Sequence, residues 1–282
     1  MPPTPAGPGY GPTAHPLGGK ELDMDALEHL ASRNIPRIRT VAWYRPLIWL
    51  LDALEDMGRS PSLSLAWGSL FSLGGLLCYQ CARGRPSLVL ASMAAYLVVA
   101  PLLAVVFYQI SRLREARGNG LEARPGEQLF APVLARWQPL ALFGLLLAAL
   151  FLFWSQITAL LAMEALDGNG AGPLGMVWEH LRQRQDTGPL LLWALSSLLL
   201  GLLAFACGVV TAPYLLDREG DVGQAVAASL QACLQNLPAM GVWLAAILAL
   251  SALGFATLML GFTMVAPLMG YATWRAYREL VE

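Results

Sequence analysis

Charged residues are scarce in this sequence. They make up 13% of its 282 residues, about half the share found in soluble globular domains, whereas hydrophobic residues make up 56%. A water-soluble fold of this length could not cover so much apolar surface with so few polar side chains. The apolar residues form runs of about 17 to 27 residues without an acidic or basic side chain, which is the length that crosses a bilayer. This composition excludes a soluble domain and predicts an all-α, polytopic membrane helical bundle.

Histidine is almost absent, which limits the chemistry that the chain can support. The three histidines, His15, His29 and His180, all lie outside the apolar runs. Haem and copper centres within a membrane need several histidine ligands on spanning helices, so we expect no haem, copper or other cofactor. The runs also lack acidic and basic residues, which argues against ion-coupled transport. We therefore expect no catalytic residue and no enzymatic activity.

The four cysteines are Cys78, Cys81, Cys207 and Cys233, too few and too scattered for a disulfide framework in a chain of this length. Cys78 and Cys81 form the only C-x-x-C pair. Such a pair can be oxidised or can bind a metal, but four-coordinate zinc needs further cysteine or histidine ligands, and none lies nearby in the sequence. We favour the interpretation that both are ordinary small apolar side chains of a span, and we expect no metal site.

The charge balance bears on partners and location. The net charge is -1, so no electrostatic argument favours nucleic acid as a partner. Arginine occurs 17 times and lysine once, at Lys20, a bias typical of GC-rich bacterial genomes. We therefore expect the protein in a bacterial inner membrane, with the lipid bilayer as its first partner.

The N-terminal segment differs in composition from the rest of the chain. Its first 20 residues include six prolines and five glycines but hardly a side chain that could be buried, so nothing offsets the entropy lost on ordering it. It also lacks the features of a signal peptide. We predict a disordered cytoplasmic tail over residues 1–38 and a membrane domain over residues 39–282.

Six spans are predicted, at about residues 63–82, 87–109, 139–163, 189–214, 239–254 and 256–274. The last two divide one continuous apolar segment, which as a single helix rising 1.5 Å per residue would be too long for the hydrocarbon core. Fourteen of the 18 basic residues lie in the N-terminal region, the even-numbered loops and the C-terminus, and four lie in the other loops. Because basic residues are retained on the cytoplasmic side, both termini are predicted to be cytoplasmic.

Two segments that precede spans have the pattern of surface helices. Over residues 41–57, one helical face is apolar and the opposite face is charged: Trp43, Leu47, Leu50, Leu54 and Met57 against Arg45, Asp52, Asp56 and Arg59. Over residues 221–236, an apolar face opposes glutamines: Val222, Val226, Leu230, Cys233 and Leu237 against Gln224, Gln231 and Gln235. We predict that both helices lie along the membrane with the apolar face in lipid and the other in water. Asp221 and Gln224 have the spacing of a helix capping box.

Prolines recur at matching positions. Each odd-numbered span begins at a proline, where the missing N–H is harmless. Pro101, Pro213 and Pro267 lie late in the even-numbered spans, where each frees the carbonyl four residues earlier, and such carbonyls can coordinate ions. We interpret the pattern as three diverged copies of one unit, a surface helix, a span and a proline-containing span. The predicted units are residues 41–117, 126–220 and 221–282.

Three stretches carry a family resemblance: residues 100–112, from Ala-Pro-Leu-Leu to Tyr-Gln-Ile-Ser-Arg; residues 212–218, Ala-Pro-Tyr-Leu-Leu-Asp-Arg; and residues 267–278, Pro-Leu-Met-Gly-Tyr-Ala-Thr-Trp-Arg-Ala-Tyr-Arg. Over about residues 40–282 the chain resembles a bacterial family of predicted integral membrane proteins, domain of unknown function 2189. Some members are labelled as cytochrome c oxidase subunit I. The resemblance implies a membrane location but no activity, and Tyr271 and Arg275 stand where members often have histidine.

The candidate functional positions are the three late prolines, Pro101, Pro213 and Pro267, and five residues near the cytoplasmic ends of spans. Asp217 and Arg218 follow the fourth span, where they can gate a path, meet a partner, or form an ion pair beside a helix cap. Trp274, Tyr277 and Arg278 have the pattern of an interfacial aromatic belt with a basic anchor.

The fourth span also carries a face of small residues: Ser197, Gly201, Ala204, Gly208 and Ala212. Such faces let helix backbones approach closely, and we expect this one to pack against another helix.

Two functional hypotheses follow from the sequence. The first is a non-catalytic membrane scaffold that binds partners, with respiratory complexes as the candidate partners. The alternative is a carrier for a neutral or apolar small molecule, which predicts a central cavity between the spans.

Overall fold

A computed structural model of the chain describes residues 36–82, 86–118, 127–165 and 188–282, which are almost entirely helical. The helices of these residues are α1 (Arg45–Arg59), α2 (Pro61–Ala82), α3 (Pro86–Leu103), α4 (Val105–Gly118), α5 (Glu127–Ala135), α6 (Trp137–Ala165), α7 (Gly188–Gly208), α8 (Thr211–Asp217), α9 (Val222–Gln235), α10 (Leu237–Ala256) and α11 (Phe262–Leu280). Most of the predicted tail, up to residue 35, lies outside the described residues.

Within these described ranges, five stretches of helix are long and apolar enough to cross a membrane: Pro61–Ala82, Ala91–Ala116, Trp137–Thr158, Leu191–Asp217 and Leu237–Ala256. Their order and composition confirm the predicted helical membrane bundle. The sixth predicted span corresponds to α11, which begins at Phe262 rather than near residue 256 and carries charged residues in its last turns. By length and composition the described residues therefore contain five candidate spans, and the sixth span and the exact span number stay predictions.

Prolines shape the helix boundaries. Pro61 is the first residue of α2, and Pro238 lies in the first turn of α10. The helical path is interrupted at Ala104, just after Pro101, and at residues 209–210, just before Pro213, because a proline cannot donate the backbone hydrogen bond that continues a helix. The order of short helix, apolar span and proline-containing helix occurs three times, while equivalence of the three units stays a prediction.

Helix α11 occupies the centre of the described bundle and packs against α1, α2, α4 and α10. Most of its side chains are buried, and it ends in an isolated antiparallel bridge between Val281 and Ile38. The Asn236 side chain joins this region to α9, because it accepts a hydrogen bond from the Val41 amide (2.7 Å) and donates one to the Arg39 carbonyl (3.1 Å). The beginning and the end of the described chain are thus held together.

One residue of the predicted charged face of α1, Asp56, is buried instead of lying in water, whereas Arg59 of the same face is exposed as predicted. Asp56 is only 2% exposed, because it packs against α11 and forms an ion pair with Arg275. The exposed side chains of α1 include Leu47, Leu51 and Leu54, so the apolar side available to lipid is shifted around the helix. Periodicity identifies a polar face, but it does not show whether that face meets water or oppositely charged side chains.

Helix α9 likewise turns a different face inward. Cys233, predicted to face lipid, is buried beside the alanines Ala225, Ala228 and Ala232, because these small side chains let α9 pack closely against the bundle. Burial raises the pKa of the Cys233 thiol to about 12. The predicted cap is present, since the Asp221 side chain accepts a hydrogen bond from the Gln224 amide at 2.7 Å.

Candidate functional site

A cavity of about 480 Å³, here called the central cavity, lies among the spans. Residues of α2, α3, α4, α6, α7, α10 and α11 line it, and most of them are aliphatic or aromatic. Pro101, one of the predicted positions, is among them, whereas Pro213 and Pro267 are buried elsewhere in the bundle. The volume falls within the range of small-molecule sites.

The small-residue face of α7 lines this cavity over most of its length, which corrects the expectation of close helix packing. Ser197, Gly201, Ala204 and Gly208 are lining residues. A Cβ added at Gly201 would meet no atom within 4 Å, so no helix approaches the backbone there. Ala212 alone is fully buried. Small side chains produce either close contact or open space, and the sequence pattern is the same in both cases.

The cavity contains a small number of polar groups. The Trp154 indole N–H donates to the Ser197 hydroxyl oxygen at 2.9 Å, and both residues line the cavity. Ser251, also a lining residue, is 2% exposed, and its hydroxyl has no hydrogen-bond partner among the described residues. The Tyr96 hydroxyl is already used, because it donates to the Phe71 carbonyl.

The mouth of the cavity faces the side of the bundle. Three lining leucines, Leu198 and Leu202 of α7 and Leu248 of α10, are exposed. All three lie well inside helices long enough to span a membrane. The surface around the mouth is therefore hydrocarbon-like, as expected for a surface in contact with lipid.

A second feature lies at one end of the bundle, where charged residues from four helices meet. This charged cluster consists of the carboxylates Asp56, Glu115 and Asp217 and the arginines Arg112, Arg114, Arg218, Arg275 and Arg278. The five predicted span-end residues all lie in it or against it. Sequence reasoning singled them out separately, and the fold brings them together.

Asp217 is a shared acceptor in the charged cluster. It receives a hydrogen bond from the Tyr277 hydroxyl at 2.8 Å and lies 3.1 Å from Arg112 and 3.6 Å from Arg278. Arg218 donates in turn to the Tyr277 hydroxyl at 3.2 Å. Burial and the neighbouring Asp217 carboxylate raise the pKa of Tyr277, so its hydroxyl stays protonated and donates.

Asp56 is the deepest carboxylate of the charged cluster, and sequence reasoning missed it by placing it in water. Arg275 binds it through two nitrogens at 2.7 and 2.9 Å, and Arg114 lies 3.8 Å away. The Arg114 guanidinium also lies over the Tyr271 ring, 5.2 Å from its centre, and Tyr271 shares a hydrogen bond with Ser64. Tyr271 and Arg275 therefore act in packing and ion pairing.

Trp274 was predicted to belong to an interfacial aromatic belt, and this prediction is wrong. It is fully buried, and its indole N–H donates to Glu115 at 2.9 Å. Glu115 also forms an ion pair with Arg278 at 3.3 Å. The reason is that α4 covers this side of α11, a tertiary contact that span-end composition does not reveal.

Beside the charged cluster, Glu279 joins α11 to α1. It accepts two hydrogen bonds from Arg45, at 2.5 and 2.6 Å, and one from the Trp49 indole at 2.7 Å. Burial raises the pKa of Glu279, but the hydrogen bonds from Arg45 and Trp49 outweigh it, and the net pKa is below its ordinary value.

One of the carbonyls that the late prolines free is already covered. Pro267 leaves the Thr263 carbonyl without its helical partner, and Gly68 of α2 packs directly against that oxygen. A Cβ on residue 68 would overlap it. The close contact between α2 and α11 therefore occupies the position where an ion was considered.

The described cysteines carry no disulfide, and Cys78 and Cys81 are exposed on α2. Within the described ranges, no three His, Cys, Asp or Glu side chains converge as a group able to hold a metal ion.

Comparison with known proteins supports the membrane assignment. Residues 88–217 match the model of the family described as "Predicted integral membrane protein (DUF2189)". No curated protein and no solved structure matches. The matched region runs from α3 through α8 and includes Pro101, Pro213 and Asp217. The resemblance predicted from the sequence is thereby confirmed over residues 88–217, where the chain is similar to this family of predicted integral membrane proteins.

Proposed function

We propose that the protein is a non-catalytic membrane protein that binds a neutral, largely apolar small molecule in the central cavity. The observation that carries this proposal is the cavity itself, about 480 Å³ enclosed mainly by aliphatic and aromatic side chains. A charged ligand would lose its hydration there without gaining an ionic partner, whereas an apolar ligand would gain contacts with the walls. This proposal corresponds to the second hypothesis from the sequence, a carrier for a neutral or apolar small molecule.

The position of the mouth supports uptake from the membrane rather than from water. Leu198, Leu202 and Leu248 border it within the spans. A molecule dissolved in the hydrocarbon phase would enter past these side chains without crossing a polar surface. We place this protein in a bacterial inner membrane with the charged cluster on the cytoplasmic side, because basic residues are retained there.

Native mass spectrometry of the full chain, purified in mild detergent, tests the proposal. We expect one co-purified apolar molecule per protein. Gly201→Phe should abolish its retention, because the new ring would fill the cavity from a position where an added Cβ meets no atom. Leu199→Phe is the matched control, since Leu199 is an exposed neighbour on α7 that does not line the cavity.

Equal retention by both variants would contradict the cavity assignment. Absence of any bound molecule from the wild-type protein, together with stable co-purification of another membrane complex, would instead favour the scaffold hypothesis.

A further inference from the structure

The polar groups of the central cavity indicate what kind of apolar molecule it takes. Polar side chains are rare in the spans, and a hydroxyl placed in an apolar wall needs a hydrogen-bond partner to offset its desolvation. Ser251 carries the one hydroxyl group between Ala239 and Ala256, and this hydroxyl lacks a partner among the described residues.

Ser197 has an unused donor for a different reason. Its oxygen accepts the Trp154 indole N–H at 2.9 Å, and none of the hydrogen bonds of the described residues uses Ser197 as a donor. The next residue shows the usual arrangement, because the Ser196 hydroxyl donates to the Trp193 carbonyl at 2.9 Å. An indole N–H is a donor only, so it orients the Ser197 oxygen toward itself and leaves the hydroxyl hydrogen for another acceptor.

We infer that the cavity ligand carries a hydrogen-bond acceptor, such as a ketone, ester or ether oxygen, that Ser197 recognises with Trp154 as its positioning residue. Ser251 of α10 supplies a second hydroxyl to the same cavity. This inference rests on the proposed function, and it adds the chemical class of the ligand: a neutral chain or ring with at least one uncharged acceptor oxygen.

Two probes of equal chain length separate this inference from simple apolar binding. Tridecane offers only hydrocarbon, and methyl undecyl ketone replaces one methylene with a carbonyl. Each is titrated into the purified full chain, and the bound fraction is measured by native mass spectrometry. We expect the ketone to bind roughly threefold to tenfold more tightly, the effect of one net hydrogen bond.

The variants locate the recognition. Ser197→Ala should remove most of the preference for the ketone over tridecane. Trp154→Phe should reduce the preference less, since the hydroxyl remains but loses its orientation. Ser251→Ala tests the second hydroxyl and is expected to remove a smaller part. Ser196→Ala is the matched control and should keep the wild-type preference, because Ser196 does not line the cavity.

The outcomes distinguish the two proposals. Equal binding of both probes by the wild-type protein, or a preference that survives in the combined Ser197→Ala and Ser251→Ala variant, would overturn the inference and leave the cavity function standing. Failure of both probes to bind, with no difference between Gly201→Phe and Leu199→Phe, would overturn the proposed function and this inference with it.

Discussion

The charged cluster and the central cavity use neighbouring turns of the same helix, α11, but they are built in opposite ways. In the charged cluster, Asp56 and Asp217 are each shared by at least two arginines from helices distant in sequence. On the cavity side, Ala266 and Gly270 of α11 are lining residues among apolar side chains, and Gly270 packs closely against Phe107. The bundle is fixed at one end by directional contacts and left partly unfilled between its spans.

This difference assigns separate roles to the two regions. Ion pairs with several hydrogen bonds hold helices in one geometry, and removing one partner leaves a buried charge behind. An apolar cavity imposes no such penalty, because its walls lose only dispersion contacts. Substitutions in the charged cluster should therefore act mainly on stability, and substitutions in the cavity mainly on binding.

The largest effect is expected for Asp56→Ala. The substitution removes an almost fully buried carboxylate and leaves two partly exposed guanidiniums, those of Arg275 and Arg114, without their shared partner, which costs about 3 kcal/mol, the lower end of the range for buried pairs. The free energy of unfolding can be measured by titrating the purified protein with SDS in mixed micelles. Glu55→Ala is the control, because Glu55 is exposed and pairs only with exposed Arg59, a contact worth about 0–1 kcal/mol. Similar losses for the two variants would show that the charged cluster does not hold the bundle.

Gly68→Ala ranks next and tests the contact that connects α2 to α11. The added methyl would overlap the Thr263 carbonyl oxygen, which belongs to the backbone and cannot rotate away, so the helices must separate. Overpacking of this kind costs about 1–3 kcal/mol. Gly74→Ala on the same helix provides the comparison, because a Cβ there meets no atom within 4 Å. If the same titration gives Gly68→Ala the stability of Gly74→Ala, the close approach of α2 and α11 is refuted.

A smaller loss of stability is expected at acid pH, where the Glu279 carboxylate becomes protonated. Its folded pKa lies below the ordinary value of 4.5, so its contribution to stability is fully present above about pH 4.5 and is lost as the pH falls through the lower folded pKa. We expect a loss of about 1 kcal/mol after allowing for the partial exposure of Glu279 and Arg45.

The measurement is the free energy of unfolding as the pH is lowered from about 6 through 4.5, the ordinary pKa of a glutamate, into the acid range. Glu279→Gln should be less stable than the wild-type protein at the upper end, and the difference should narrow toward the lower end. Glu55→Gln serves as the control and should follow the wild-type pH dependence. A wild-type advantage that stays constant over the range would contradict the assignment.

The fold could be predicted to a large extent because the bilayer restricts the options. Apolar runs of spanning length and prolines at helix starts predicted the bundle and the beginnings of α2 and α10. The span-end residues could also be singled out, since Asp217 and Tyr277 follow or end apolar runs. That they meet could not be predicted, because 60 positions separate them in the sequence.

The cavity was beyond sequence reasoning for a physical reason. A void depends on how far apart helices lie, and the small residues of α7 are compatible with close packing as well as with space. Asp56 was misplaced because a charged helical face can pair with another element instead of water. A signal was present for Ser251, since a lone hydroxyl in a long apolar run is costly unless something binds it.

The smallest change in stability is expected for Gly201→Ala. Its comparison with Gly68→Ala is the sharpest, because the same substitution is made on two different spans. At Gly201 an added Cβ meets no atom within 4 Å, so no steric cost opposes the gain in helix propensity of about 0.5–1 kcal/mol. We expect Gly201→Ala to be slightly more stable than the wild-type protein in the SDS titration. It should retain the cavity ligand, since one methyl group removes little of a 480 Å³ space. A destabilised Gly201→Ala variant would mean that α7 is closely packed at this position, and the central cavity would then not exist in the folded protein.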